Sequence, residues 1–165
     1  MSIRILAVDP GYEKLGYAVI DRDANHLVAI DYGLIETPRN EPIHLRLKRI
    51  YDELMNIVDL LSPQELALER VYFFRNVSTA IGVGQSRGVA LLIAAIRGMK
   101  VYEYTPYQVK QSVTGNGRAT KSQVQEMVKR LYRLSEAPKS DDVADALAIG
   151  WCHGVFARTS EVLNR

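Results

Sequence analysis

The chain has 165 residues, 47% hydrophobic and 24% charged: the length of one domain, an ordinary globular composition, and enough chain to bury close to 70% of its unfolded surface without disulfides. Its one cysteine, Cys152, excludes an internal disulfide framework and fits a reducing cytoplasm; no uninterrupted apolar run reaches the roughly 18 residues of a membrane span, and Met1 to Asp9 meets charge too early for a signal peptide. The net charge of +2 is unevenly spread: residues 97–139 hold nine Lys/Arg against three acids, a net of +6, leaving −4 for the rest, and such a basic block is the footprint of a polyanionic partner unless it is a solvated helix face.

Ile3-Arg4-Ile5-Leu6-Ala7-Val8 is a short apolar run halted by Asp9-Pro10-Gly11, which predicts a buried strand and a turn. Gly16 to Ile20 predicts a second strand, Asp21 to Asn25 a turn, and His26 to Glu36 a third strand, so the chain opens as an antiparallel meander. From Pro42 to Leu61 the period changes. Ile43, Leu47, Ile50, Leu54, Ile57 and Leu61 form a helical stripe that Ser62-Pro63 ends. Leu66 to Val71 predicts a fourth strand, parallel to the first because a helical crossover precedes it.

Val77 to Ile96 predicts a helix rich in small residues, including Gly82, Gly84 and Gly88. Each glycine costs a helix about 1 kcal/mol relative to alanine, so three together point to close approach of another backbone or a partner. Lys100 to Tyr104 predicts a fifth strand. Helices over Pro106 to Val113 and Lys121 to Tyr132 flank the loop Gly115-Asn116-Gly117, and a last helix runs from about Ser140 to Phe156. The order predicts an α/β fold: a mixed sheet with helices on both faces.

Among 19 acids, placement singles out four. Asp9 ends the first strand and Glu69 interrupts the fourth, so parallel neighbours set the two side by side. Asp142 and Asp145 lie three apart, on one face of the last helix. Plain readings exist for each: a turn aspartate, a strand-edge glutamate paired with Arg70 or Arg75, and helix capping for Asp141, Asp142 and Asp145. Four converging carboxylates leave water at a cost of several kcal/mol unless a cation offsets them. Hard oxygen ligands without His/Cys spacing suit Mg²⁺ or Mn²⁺ and not zinc. Two such ions support phosphodiester hydrolysis, and the basic block would hold the phosphate backbone. His26, His44 and His153 are scattered and read as structural, and Cys152 as core.

Five ordered motifs between residues 3 and 153 carry a family resemblance. Asp9-Pro10-Gly11 with Gly16-Tyr17, Glu69-Arg70-Val71-Tyr72, and Gln85-Ser86-Arg87-Gly88-Val89-Ala90 are three of them. Val109-Lys110-Gln111 with Gly115-x-Gly117 and Lys121-Ser122-Gln123-Val124-Gln125, and Asp142-Val143-Ala144-Asp145-Ala146-Leu147-Ala148, complete the set. The sequence resembles the RuvC-type Holliday junction resolvases. The resemblance implies a ribonuclease H-like fold with a five-stranded sheet, as a nuclease domain over 1–157 and a C-terminal tail over 158–165. It implies a homodimer that nicks opposed strands of a four-way DNA junction symmetrically, in recombination and repair, with a branch-migration helicase complex as a further candidate partner.

Asp9, Glu69, Asp142 and Asp145 are then the catalytic, metal-binding acids, holding two Mg²⁺ per subunit with Mn²⁺ as a substitute; Asp142 is either a ligand or a base. Lys121 belongs beside the developing phosphorane charge. Lys110, Lys121, Arg87 and Arg118 are expected on DNA. Tyr72 matches an aromatic that stacks on unpaired bases, where phenylalanine is common, and Phe73, Phe74 and Arg75 are stand-ins. Three rival readings stand beside this one: a nuclease of the same fold acting on structured RNA, a junction-binding module that does not cut, and an ATPase of the actin and sugar-kinase kind. The last needs two related domains, and 165 residues hold one.

Overall fold

The computed structural model describes residues 2–24, 26–72 and 77–163, with side-chain surroundings as far as residue 157. Strands β1 (Ile3–Asp9), β2 (Lys14–Arg22) and β3 (Leu27–Glu36) form the expected antiparallel meander. Helix α1 (Ile43–Leu61) then crosses over and returns the chain as β4 (Glu65–Glu69), parallel to β1. Helix α2 (Val77–Ile96) leads to β5 (Lys100–Tyr104), parallel to β4, and α3 (Pro106–Thr114), α4 (Lys121–Leu131) and α5 (Asp141–Leu163) complete the chain. The sheet order is β3-β2-β1-β4-β5.

Period-2 alternation splits the sheet's side chains between two cores. Ile5, Ala7, Ala18, Ile20 and Ala67 face α3, α4 and α5, meeting Val109, Val124, Val128 and the α5 residues Leu147 and Ile149. Leu6, Val8, Val19, Leu66 and Leu68 face α1 and α2, meeting Ile50, Leu54, Ala90 and Ile93. A fully buried Leu or Ile contributes about 1.5–3 kcal/mol, so β1, buried from Ile5 to Val8, anchors both layers.

Several boundaries move from the sequence expectation. β2 and β4 each start early, at Lys14 and Glu65, because ladder pairing, Lys14 with Glu36 of β3 and Glu65 with Ile5 and Lys100, extends past the apolar run. β4 stops at Glu69, not Val71, although the Arg70 N–H still donates to the Tyr104 carbonyl at 2.8 Å. On α1 the buried line is Arg46, Ile50, Leu54 and Val58, spaced by four, while Ile43 is exposed. Ser62 ends that helix in the left-handed region, its N–H on the Val58 carbonyl. Helix α5 continues beyond Phe156 to Leu163, through residues expected as a tail.

Helix α2 is long and apolar enough, by composition, to cross a bilayer. Gln85, Ser86 and Arg87 interrupt its apolar sequence. Ser86 and Arg87 both bond into the protein, which makes α2 a helix packed on this sheet.

Candidate active site

Three elements deliver the four acids to one face. Asp9 lies two residues beyond Ala7, and Glu69 two beyond Ala67; both alanines belong to the core under α5, so both carboxylates face α5. The β1/β4 ladder pairs Val8 with Leu68, and one step further sets Asp9 beside Glu69. Helix α5 starts at Asp141 and lays Asp142 and Asp145 over this end of the sheet.

The approach of α5 depends on Gly16. This residue pairs with Asp9 across the β1/β2 ladder. A Cβ built on it would stand 2.0 Å from the Asp142 carbonyl oxygen and 2.9 Å from the Val143 nitrogen. The bare backbone of β2 is therefore what lets the first turn of α5 reach Asp9.

The electrostatics follow from that convergence. Burial pushes the Asp9 carboxyl up to about 8, with Asp145, Asp142 and Glu69 adding repulsion and a hydrogen bond to Asp142 favouring the protonated form. Glu69 is raised to about 7, by burial and then by Asp145, against the opposing pull of Lys110. Asp145 rises to about 6, again chiefly through burial, with Lys121 and Lys110 restraining it and Asp142 and Asp141 adding to it. Lys121 is itself held more firmly protonated, first by its hydrogen bond to Asp141 and then by Asp145 and Asp142. Four acids and two lysines thus share one field.

The donor set is made of hard carboxylate oxygens. Among the described residues no three His, Cys, Asp or Glu side chains are already gathered tightly enough to enclose an ion. The fit to a hard divalent cation rests on the chemistry of the donors, carboxylate oxygens that would share such an ion with waters and substrate phosphate oxygens. Asp9 and Glu69, strained by proximity and burial, are the pair whose charged forms a divalent cation would most favour.

The remaining expected site residues distribute unevenly. Lys110 is half-buried on α3, near enough to act on Glu69 and Asp145. Lys121 is exposed at the start of α4, its Nζ 3.4 Å from Asp141 Oδ2. Arg118 is exposed in the loop before it, and its N–H donates to Asn116 Oδ1. Tyr72 is 51% exposed just past β4. Phe73, Phe74 and Arg75 lie outside the described residues. Arg87, expected on DNA, is turned inward: its side chain is 16% exposed, paired with Glu103 and donating to the Glu69 carbonyl at 3.3 Å. His153 is wholly buried between Glu65 (2.8 Å) and Tyr104 (2.6 Å), a structural histidine whose burial disfavours its charge.

The sequence reading missed the supports of the site. The turn after Asp9 is clasped by Arg46, which stacks on the Tyr12 ring at 4.8 Å and donates to the Tyr12 carbonyl and to Thr37. The Tyr12 ring also fills the space above Gly82 of α2, and Ser86 donates to the Gly11 carbonyl at 3.0 Å. Arg46 falls three residues after Ile43 and four before Ile50, and a charge on an apolar stripe was the signal for a buried partner. Asp141, read as a cap, holds both Lys121 and Gln125. Helices α3 and α4 each open with a capping box, Thr105 with Gln108 and Thr120 with Gln123, legible as Thr-x-x-Gln. These boxes fix the starts of the helices that carry Lys110 and Lys121.

The family model for crossover junction endodeoxyribonuclease RuvC matches residues 5–153. The RuvC of Thermotoga maritima is 50% identical over 99% of this chain and 97% of its own length. That of Halothermothrix orenii is 54% identical over 91% of each. The solved structure of T. thermophilus RuvC in complex with Holliday junction substrate shares 33% identity and a TM-score of 0.89, covering 96% of both chains. A yeast mitochondrial Holliday junction resolvase, 16% identical with a TM-score of 0.67 over 98% of this chain and 84% of that one, shares the fold. The five-stranded mixed sheet with helices on both faces is thus a ribonuclease H-like fold, and the chain belongs to the family of crossover junction endodeoxyribonucleases RuvC.

Proposed function

We propose that this protein resolves four-way DNA junctions, in recombination and repair, by nicking two opposed strands symmetrically as a homodimer. The observation that carries the reading is the convergence of Asp9, Glu69, Asp142 and Asp145 from β1, β4 and α5 into one electrostatic cluster bordered by Lys110 and Lys121. Divalent cations, Mg²⁺ with Mn²⁺ as substitute, would supply water activation and stabilisation of the leaving oxygen when bound there. Asp9, Glu69 and Asp145 would hold two of them, with Asp142 as a further ligand or a base.

The other side chains bind and orient. Lys121 offers its charge to the scissile or adjacent phosphate once released from Asp141. Lys110 offsets Glu69 and Asp145, and Arg118 meets the backbone, which makes binding salt-dependent. Tyr72 offers a stacking face for unpaired bases, with Phe73, Phe74 and Arg75 following it in the chain. Without cations, four acids would repel the DNA they face, which weighs against a module that only binds.

Dimerisation is proposed through α2. Ile81, Leu92 and Ile96 are exposed along one side of it, and the space beside Gly84 and Gly88 is open. An isologous two-fold contact there gives the symmetry that paired nicks require. The test is a synthetic four-way junction, a plain duplex and a structured RNA offered with Mg²⁺. Paired nicks on the junction, with the other two spared, support the reading; preferential cutting of the RNA replaces it with the RNA-processing alternative.

A further inference from the structure

We infer that Arg87 is a positioning residue that sets Glu69 for its cation from the opposite face of the sheet. This rests on the proposed metal reading of Glu69 and assigns a role within it. Glu69 is the last residue of β4, and its side chain faces α5 while α2 packs behind. The Arg70 N–H donates to the Tyr104 carbonyl. The Glu69 carbonyl shares that planar peptide and so points the other way, toward the edge where pairing with β1 has ended at Val8 and Leu68. It accepts instead from Arg87 Nη1 at 3.3 Å. The other arm of the guanidinium is fixed by Glu103 of β5, whose second oxygen lies 3.8 Å from Arg70 Nε.

One planar group therefore bridges β5 to the terminal peptide of β4. A lysine ammonium keeps the charge opposite Glu103 but lacks the rigid fork that reaches both acceptors. One residue earlier, Ser86 holds the Gly11 carbonyl, just past Asp9. Two adjacent α2 residues thus brace the two strand ends that carry Asp9 and Glu69. The opposite side of the same helix is the proposed dimer face.

The experiment measures Mg²⁺ binding by titration calorimetry without DNA, junction affinity in EDTA, and single-turnover nicking, for the parent, Arg87→Lys, Glu103→Gln and Glu103→Ala. Supports beyond the ligands are worth about 10- to 100-fold in metal affinity. Arg87→Lys is expected to weaken Mg²⁺ binding about tenfold or more, to slow nicking most at limiting Mg²⁺, and to leave junction affinity unchanged. Glu103→Gln retains an acceptor for the fork and should follow the parent. Glu103→Ala loosens the clamp from its other end, so the proposal stays testable if Arg87→Lys does not fold. Equal Mg²⁺ binding by parent, Arg87→Lys and Glu103→Ala overturns the inference alone. Loss of junction affinity in Arg87→Lys overturns it in favour of a DNA contact. A parent that binds no Mg²⁺ overturns the metal reading and this inference with it.

Discussion

Replacing Gly16 by alanine should uncouple the acids without removing any of them. Ordinary van der Waals contact for a Cβ begins near 3.4 Å, and here the added atom would meet the Asp142 carbonyl oxygen at 2.0 Å and its carbon at 2.3 Å. Both are backbone atoms of α5, so no side chain can swing aside. The first turn of α5 must retreat by about 1 Å or more, and overpacking of this kind costs about 1–3 kcal/mol. In a chain of this length each kcal/mol lowers the melting midpoint by about 2–4 °C. The functional effect is larger, because a 1 Å misplacement can cost about 10²-fold in rate. Gly16→Ala should therefore melt a few degrees lower, bind a four-way junction in EDTA like the parent, and nick it about 100-fold more slowly at saturating Mg²⁺ in single-turnover assays. Nicking at the parental rate by a folded Gly16→Ala protein would refute the idea that this glycine seats Asp142 beside Asp9.

Lys121→Ala should lower the single-turnover rate by about tenfold or more while binding falls only slightly, as expected for a cation at the developing charge; an unchanged rate removes Lys121 from the site. In metal-free protein the raised carboxyls have a stability signature. The native state holds protons on Asp9 (about 8) and Glu69 (about 7) that the unfolded chain has released, so stability should fall as pH rises from 6.5 to 8.5. His153, whose pKa is lowered, exerts its effect below 6.5 and stays outside this window. Melting in EDTA across this range checks the sign, and Mg²⁺ should recover most of the loss at the alkaline end; a flat profile contradicts the clustering. Leu92→Asp places a charge in the proposed seam of α2, where burial without a partner costs several kcal/mol; sedimentation should show monomers where the parent is dimeric, and an unchanged distribution moves the interface elsewhere.

The convergence of the four acids was legible because its signals are local and one-dimensional. Asp9 terminates an apolar run, Glu69 interrupts another, and Asp142 and Asp145 share a helical face. The parallel pairing of β1 with β4 follows from the α1 crossover, which alone sets Asp9 and Glu69 side by side. The supports were not legible, since each joins residues distant in sequence through backbone acceptors: Ser86 to Gly11, Arg87 to Glu69, Arg46 to Tyr12. Sequence records that Arg87 is cationic but not that it points inward, and a basic residue in a nucleic-acid enzyme is read toward DNA by default. The glycines of α2 stand out in sequence by their number, whereas Gly16 owes its importance to an Asp142 carbonyl 126 positions further along the chain.

Asp9→Asn, tested for binding and nicking side by side, probes the account most directly. The substitution keeps the size and a hydrogen-bonding head while removing the charge that the cations need. A protein that grips the four-way junction with parental affinity yet leaves its strands intact in Mg²⁺ is the predicted result; opposed strands nicked at the parental rate by Asp9→Asn would mean that hydrolysis is done by other groups.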